Sequence, residues 1–128
     1  MKIIRGNSIE YTPASHEEHS NPAVLKKVLI NKNDVIDGRL QMINWALLPV
    51  GKSFQEHYHE DMDEVFIIIK GLVKIQVEKQ TALMGPGDAV VIPAKASHVM
   101  SNTGDQDAKY IALGVSSEQD GKTVIVQK

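Results

Sequence analysis

The chain has no cysteine among its 128 residues. That absence excludes disulfide frameworks, thiolate nucleophiles and cysteine-ligated zinc modules together, and it suits a cytoplasmic protein. Aromatic residues are scarce, with one tryptophan, two phenylalanines and three tyrosines, so any core must be mostly aliphatic. Neither sign of charge dominates: the formal charge is −2 and the pI about 6.2. This gives no electrostatic reason to expect nucleic acid or an anionic membrane as partner. Arg5 and Arg39 are the only arginines, which makes phosphate recognition less attractive. The longest apolar run, Val65 to Ile69, is far too short to span a bilayer, and the residues after Met1 lack the apolar stretch of a signal peptide. Internal repeats are lacking too, which excludes a duplicated architecture.

What is present fits one small β domain. Length alone implies a single domain that buries somewhat under roughly 70% of its unfolded surface, and 42% apolar residues can supply its core. Segments rich in β-branched and apolar residues recur at 40–48, 53–59, 64–70, 72–78, 89–92, 98–101, 109–115 and 123–126, bounded by turn residues. Regular short strands predict an all-β sandwich or barrel. Lys70-Gly71 reads as a tight hairpin. Within Met84-Gly85-Pro86-Gly87, Pro and Gly suit the two central positions of a type II turn, with Gly87 at positive φ. Pro49 and Gly51 close the first of these strands, and Gly104 and Asp120-Gly121 mark later turns.

Residues 1–35 form a separate N-terminal arm in this reading, with the barrel over 36–128. Asn21-Pro22 could open a helix whose apolar face is Val24, Leu25, Val28 and Leu29. The same residues could form a strand over 24–30, and their β-branched content leans that way.

The chemistry concentrates in the middle of the chain. Residues i and i+2 of a strand project from one face, so His57 and His59 can converge on one ion. Glu64 follows a short polar stretch and could bring a carboxylate to it; His98 must come from a distant strand. On the residues alone, Glu56, Glu60, Asp61 and Asp63 compete with Glu64, and 65–69 is apolar on both faces, so alternation does not choose among them. The bland reading of these histidines is a solvated strand face or an ordinary core position.

The spacing Gly51, His57, His59, Glu64 and Gly71, followed by Gly87, Pro93, His98 and Asn102, resembles the two motifs of the cupin superfamily. Lys95 departs from the pattern, standing where the family usually has glycine, and lysine tolerates positive φ poorly. The resemblance implies a single-domain double-stranded β-helix, or jelly-roll barrel. It also implies one divalent transition metal per chain held by His57, His59, Glu64 and His98, and a homodimer in which the arm pairs with the partner's sheet. Three imidazoles and a carboxylate accept Fe, Mn, Ni, Co or Zn. In octahedral coordination they leave two positions for a small-molecule ligand, which favours catalysis or capture over a structural role.

By that resemblance the chain is expected to be an enzyme acting on a small metal-chelating metabolite, leaning to dioxygenase-type chemistry. A metal-dependent isomerase, epimerase or lyase acting on a sugar or sugar acid is the first alternative, and a non-catalytic binding or sensing module the second. The candidate catalytic residues are Gln55, which shares parity with His57 and His59, and Tyr110 on a late strand. Arg39 or Lys95 could reach an anionic substrate. Trp45, Phe66 and Met100 are expected in the core or lining an apolar pocket. His16-Glu17-Glu18-His19 mimics a zinc-protease motif, but its histidines are three apart rather than four, so it reads as an exposed loop that could still lie over the barrel mouth.

Overall fold

Along 62–70 the residues Met62, Glu64, Phe66 and Ile68 are buried while their neighbours are not, the period of a strand with one face on a core. The computed structural model describes residues 1–14, 17–18, 20–117 and 122–127. Its strands are β1 (Thr12–Pro13), β2 (Leu25–Asn31), β3 (Leu40–Leu48), β4 (His57–His59), β5 (Met62–Lys70) and β6 (Val73–Val77). They continue as β7 (Gln80–Met84), β8 (Ala89–Ile92), β9 (His98–Asn102), β10 (Ala108–Ser116) and β11 (Thr123–Ile125). Two antiparallel sheets face each other, in the orders β1-β2-β3-β10-β5-β8 and β11-β4-β9-β6-β7. The protein is therefore an all-β jelly-roll barrel. Residues 24–30, open to two readings in the sequence, lie mostly on β2, which pairs with β3 of the same chain.

Cross-strand pairing sorts the inner face of the first sheet into rows. One row runs Met42, Gly114, Glu64, Ile92; the next runs Asn44, Ala112, Phe66, Val90; the third runs Lys26, Ala46, Tyr110, Ile68. On the facing sheet His98 pairs with both His57 and Val77, and one step further along Met100 pairs with Ile75. Imidazoles thus gather toward one end of the barrel. Leu48, Ile68, Val73 and Met100, each with 0% exposure, fill the rest.

The structure corrects several local expectations. Lys70-Gly71 is no hairpin: β5 and β6 belong to different sheets, and the chain crosses between them at Gly71. That glycine has φ +92°, and a Cβ there would stand 2.9 Å from Ala108 Cα, so only glycine fits. β7 escaped notice because Gln80 to Leu83 are all exposed and its connecting turn, Glu78-Lys79, carries no Gly, Asn or Pro. The expected strand over 53–59 is regular only at its end. Ser53 makes an isolated bridge to Ser101, and the intervening irregular backbone puts Phe54, not Gln55, inward with His57. Trp45 stands opposite to Asn44 and Ala46, on the outer face, where its Nε1 donates to Tyr11 Oη at 3.1 Å. The proposed turn at Asp120-Gly121 lies outside the described residues.

The Pro-Gly turn is as expected: Asp88 N–H donates to Gly85 O at 3.0 Å, with Gly87 at φ +91°. Lys95 repeats the pattern without a glycine. Ala96 N–H donates to Pro93 O at 3.1 Å, and Lys95 sits at φ 71° between them. A side chain in this region costs on the order of 1 kcal/mol. The turn persists because Lys95 N–H donates to His59 O at 2.7 Å and Ala94 N–H to Asp63 Oδ1 at 2.8 Å. Lys95→Gly is accordingly expected to raise unfolding stability by about 1 kcal/mol in a denaturant titration, since it relieves the strain and keeps both hydrogen bonds. A neutral or destabilising result would show that the lysine is unstrained or held by contacts of its own.

Candidate metal centre

His57, His59, Glu64 and His98 are all buried, and one ligand atom from each lies within 4.8 Å of every other. β4 contributes His57 and His59 and β9 contributes His98, from one sheet; Glu64 reaches across from β5 of the other. The competing carboxylates drop out by position. Glu64 shares the inward parity of β5, whereas Asp63 is exposed and accepts from the Lys95 turn, and Glu60 is exposed.

Backbone carbonyls fix the imidazoles. His57 Nδ1 donates to Gln55 O at 2.7 Å and His98 Nδ1 donates to Ala96 O at 3.0 Å. A carbonyl only accepts, so each Nδ1 carries the proton and each Nε2 presents a lone pair to the centre. His59 is held by β11, with Nδ1 3.1 Å from Thr123 Oγ1, and its Nε2 lies 3.2 Å from Glu64 Oε1. His98 Nε2 lies 3.3 Å from the same oxygen. Rings pack the cluster from the side: His57 and His98 have centroids 4.4 Å apart, and Phe54 stands 5.2 Å from His57 and 6.0 Å from His98.

Burial by itself pushes the Glu64 carboxyl up, but hydrogen bonds and charge from His59 and His98 outweigh it and hold the pKa at about 2. That hold requires a proton on the Nε2 atoms facing Glu64; a divalent cation at the same point would replace those protons, taking the ionised carboxylate oxygen and the Nε2 lone pairs together. These residues fit a divalent transition metal.

Beside the cluster is a cavity of about 200 Å³, lined by His59 and Glu64 at one side. Tyr110, Asn44 and Lys26 also line it, with Ala46 and Ala112 as its small walls. Tyr110 is 2% exposed; burial first, then the Glu64 and Glu17 carboxylates, push its phenol above the ordinary 10.0, so it keeps its proton. Of the catalytic candidates the structure thus brings Tyr110 to the cavity. Gln55 is not among its lining residues and serves through its backbone carbonyl. Arg39 and Lys95 line a separate surface depression with Glu60, Asp61 and Asp63. Met100 is in the core, and Phe66 both packs there and lines the cavity.

Asn44 and Lys26 were not anticipated. A carboxamide in the middle of the otherwise apolar Met42-Ile-Asn-Trp-Ala-Leu was the signal available for the first. Lys26, beside Lys27, offered none. In the zinc-protease-like segment Glu17 is buried, and its histidines, His16 and His19, lie outside the described residues. Asn102, at the last position of the spacing pattern, is structural: its Nδ2 donates to Leu48 O and Gln106 O, both at 2.9 Å.

The family model described as the cupin domain matches residues 44–114, more than half of the chain, and the chain belongs to that family. Uncharacterized protein MJ1618 of Methanocaldococcus jannaschii is 24% identical over 127 residues, covering 99% of this chain and 98% of that one. Among solved structures, a predicted oxalate decarboxylase of Thermotoga maritima superposes with TM-score 0.78 at 22% identity, over 90% of this chain and 99% of the other. The polyketide cyclase RemF of Streptomyces resistomycificus superposes with TM-score 0.79 at 17% identity, over 100% of this chain and 87% of its own. At these identities the structural likeness shows the fold. Among the described residues no helix is long and apolar enough to cross a membrane.

His98→Ala and His57→Ala are each expected to remove most of the bound metal, measured by elemental analysis after reconstitution with Zn(II) or Mn(II), while circular dichroism still reports a folded β protein. Either variant retaining full occupancy would sink the assignment of that ligand.

Proposed function

We propose that this chain is a mononuclear-metal enzyme acting on a small metal-chelating metabolite, and that its reaction is metal-assisted enolisation of the isomerase, lyase or cyclase kind. The observation that carries the reading is Tyr110, a buried phenol that keeps its proton, lining the same small cavity as Glu64 and His59. Bound here, a divalent Fe, Mn, Ni, Co or Zn ion supplies Lewis-acid polarisation of a carbonyl or hydroxyl oxygen. The chain does the rest. Its imidazoles and Glu64 occupy one side of the centre, leaving the cavity side for substrate. As the α-proton passes to a solvent base and negative charge develops on the carbonyl oxygen, Tyr110 can donate to that oxygen, the role of a hydrogen-bond donor aimed at an enolate. Phe66 and Met62 on the cavity wall limit water around the reacting oxygen.

The names of two similar structures support a chelating substrate, since oxalate and polyketides both carry neighbouring oxygens that can grip one ion. Dioxygenase-type chemistry is the second reading: the same four residues could hold Fe or Mn, which would supply redox chemistry with dioxygen toward a bound substrate.

Exchange of deuterium into hydroxyacetone, followed by NMR in heavy water, separates them when run beside oxygen uptake against diketones, catechols and hydroxy acids. Metal-dependent exchange without oxygen consumption is expected, reduced on the order of 10²-fold in Tyr110→Phe at unchanged metal content. Substrate-dependent oxygen uptake would overturn enolisation in favour of the dioxygenase. Stoichiometric metal with neither activity would make the protein a binder.

A further inference from the structure

Two polar side chains in the cavity are not used by the metal centre. Asn44 is 7% exposed, and its Oδ1 has no hydrogen-bond partner. That acceptor oxygen is satisfied only by a donor such as a ligand hydroxyl, whereas Nδ2 of the same carboxamide, which makes no hydrogen bond among the described residues, can donate to a ligand carboxylate. Lys26 pairs with Ala46, as does Tyr110, so the three side chains stand on one inward face. Burial lowers the Lys26 ammonium below its ordinary 10.5. Among the described residues no carboxylate forms an ion pair with it.

We propose that Lys26 and Asn44 form a carboxylate-binding subsite at the end of the cavity away from the metal. The substrate would then be a small oxo or hydroxy acid whose carboxylate is separated by a short carbon chain from its chelating oxygens. The inference rests on the metal-enzyme reading above and adds the class of substrate. Three observations converge on it.

The first is placement. Glu64 lies on β5, whereas Asn44 lies on β3, two strands away, and Lys26 on β2, three strands away. At about 4.8 Å per strand, the two polar groups approach from the side of the cavity opposite the carboxylate ligand. Ala46 and Ala112 stand between, and their small side chains leave the space open. The second is size. A cavity of about 200 Å³ is small beside ordinary ligand pockets of about 300–1,000 Å³, which suits a short acid. The third is charge. A divalent ion and Lys26 would bring three positive charges against one negative charge from ionised Glu64, so an anionic ligand would offset the excess. A lone lysine with a carboxamide suits a carboxylate; the site has no guanidinium fork of the kind that grips phosphate.

A matched pair of probes tests the subsite on the zinc-reconstituted full chain: 4,6-dioxoheptanoate, which joins a diketone to a carboxylate, and heptane-2,4-dione, which lacks the carboxylate. By titration calorimetry, with zinc content measured before and after, the acid is expected to bind at least about tenfold more tightly than the dione. Lys26→Met should bind the two alike, with affinity for the dione and zinc content unchanged; Asn44→Ala should narrow the gap, and Lys26→Arg should restore it. Equal binding of both probes by the parent protein would overturn the subsite while leaving the metal centre standing. So would a preference that survives in Lys26→Met, or zinc-loaded protein that binds neither probe. Failure to hold zinc at all would instead bring down the metal-enzyme reading, and the subsite with it.

Discussion

An ionised carboxylate and imidazole lone pairs held within 4.8 Å of each other inside an apolar barrel form the constraint on which the rest of this structure depends. Burying a carboxylate costs several kcal/mol unless it is paired, and here the pairing falls to the Nε2 atoms of His59 and His98 at 3.2 and 3.3 Å, the positions a bound cation would share. Natural folds keep such an arrangement where a cation relieves it. Much of the surrounding architecture serves to prevent the side chains from relaxing away. Gln55 O and Ala96 O take the Nδ1 protons, Thr123 holds the third ring, and Phe54 blocks lateral movement. Even the strained backbone at Lys95 belongs to this set, because its N–H is bound to the carbonyl of His59 itself.

The candidate metal ligands were legible because their signal is local and chemical. His57 and His59 are two apart on one strand, and the resemblance supplied the partners that periodicity could not. Glu64 shows the limit of pattern reading. Five neighbouring apolar residues hid the parity of its strand, and only packing shows that Glu64, Phe66 and Ile68 face inward together. Strand positions were mostly visible where apolar and β-branched residues coincide, as in Leu40–Leu48 and Ala89–Ile92, both found at the bounds their composition indicated.

Tertiary context decided what the sequence left hidden. β7 exposes nearly every side chain, so it has no apolar alternation to read; it exists because β6 offers its backbone as a template. Lys70-Gly71 carries the residues of a hairpin, yet the glycine is needed for close approach to Ala108 while the chain changes sheets. Gln55 failed as a candidate for a geometric reason. Its parity argument presumed an unbroken strand from Ser53, and the irregular backbone there exchanges the roles of residues 54 and 55. Lys26 was invisible because a lysine on a strand is ordinarily solvated; what turns it inward is the pairing of β2 with β3, a contact between segments that no local pattern links.

The barrel divides its labour along its axis, and that division explains how a costly polar cluster is tolerated. Leu48, Ile68, Val73 and Met100, together with Ile75, form a buried aliphatic plug. Losing one of the larger of these would cost about 2–5 kcal/mol, so the plug supplies stability that does not depend on the ligand site. Nearer the candidate metal centre, the inner face carries Ala46 and Ala112 instead of large aliphatics, forgoing packing energy to keep a cavity open. The same strands do both jobs. β10 places Ala108 against the plug and Tyr110 and Ala112 on the cavity, a change from packed core to cavity wall within five residues of one strand.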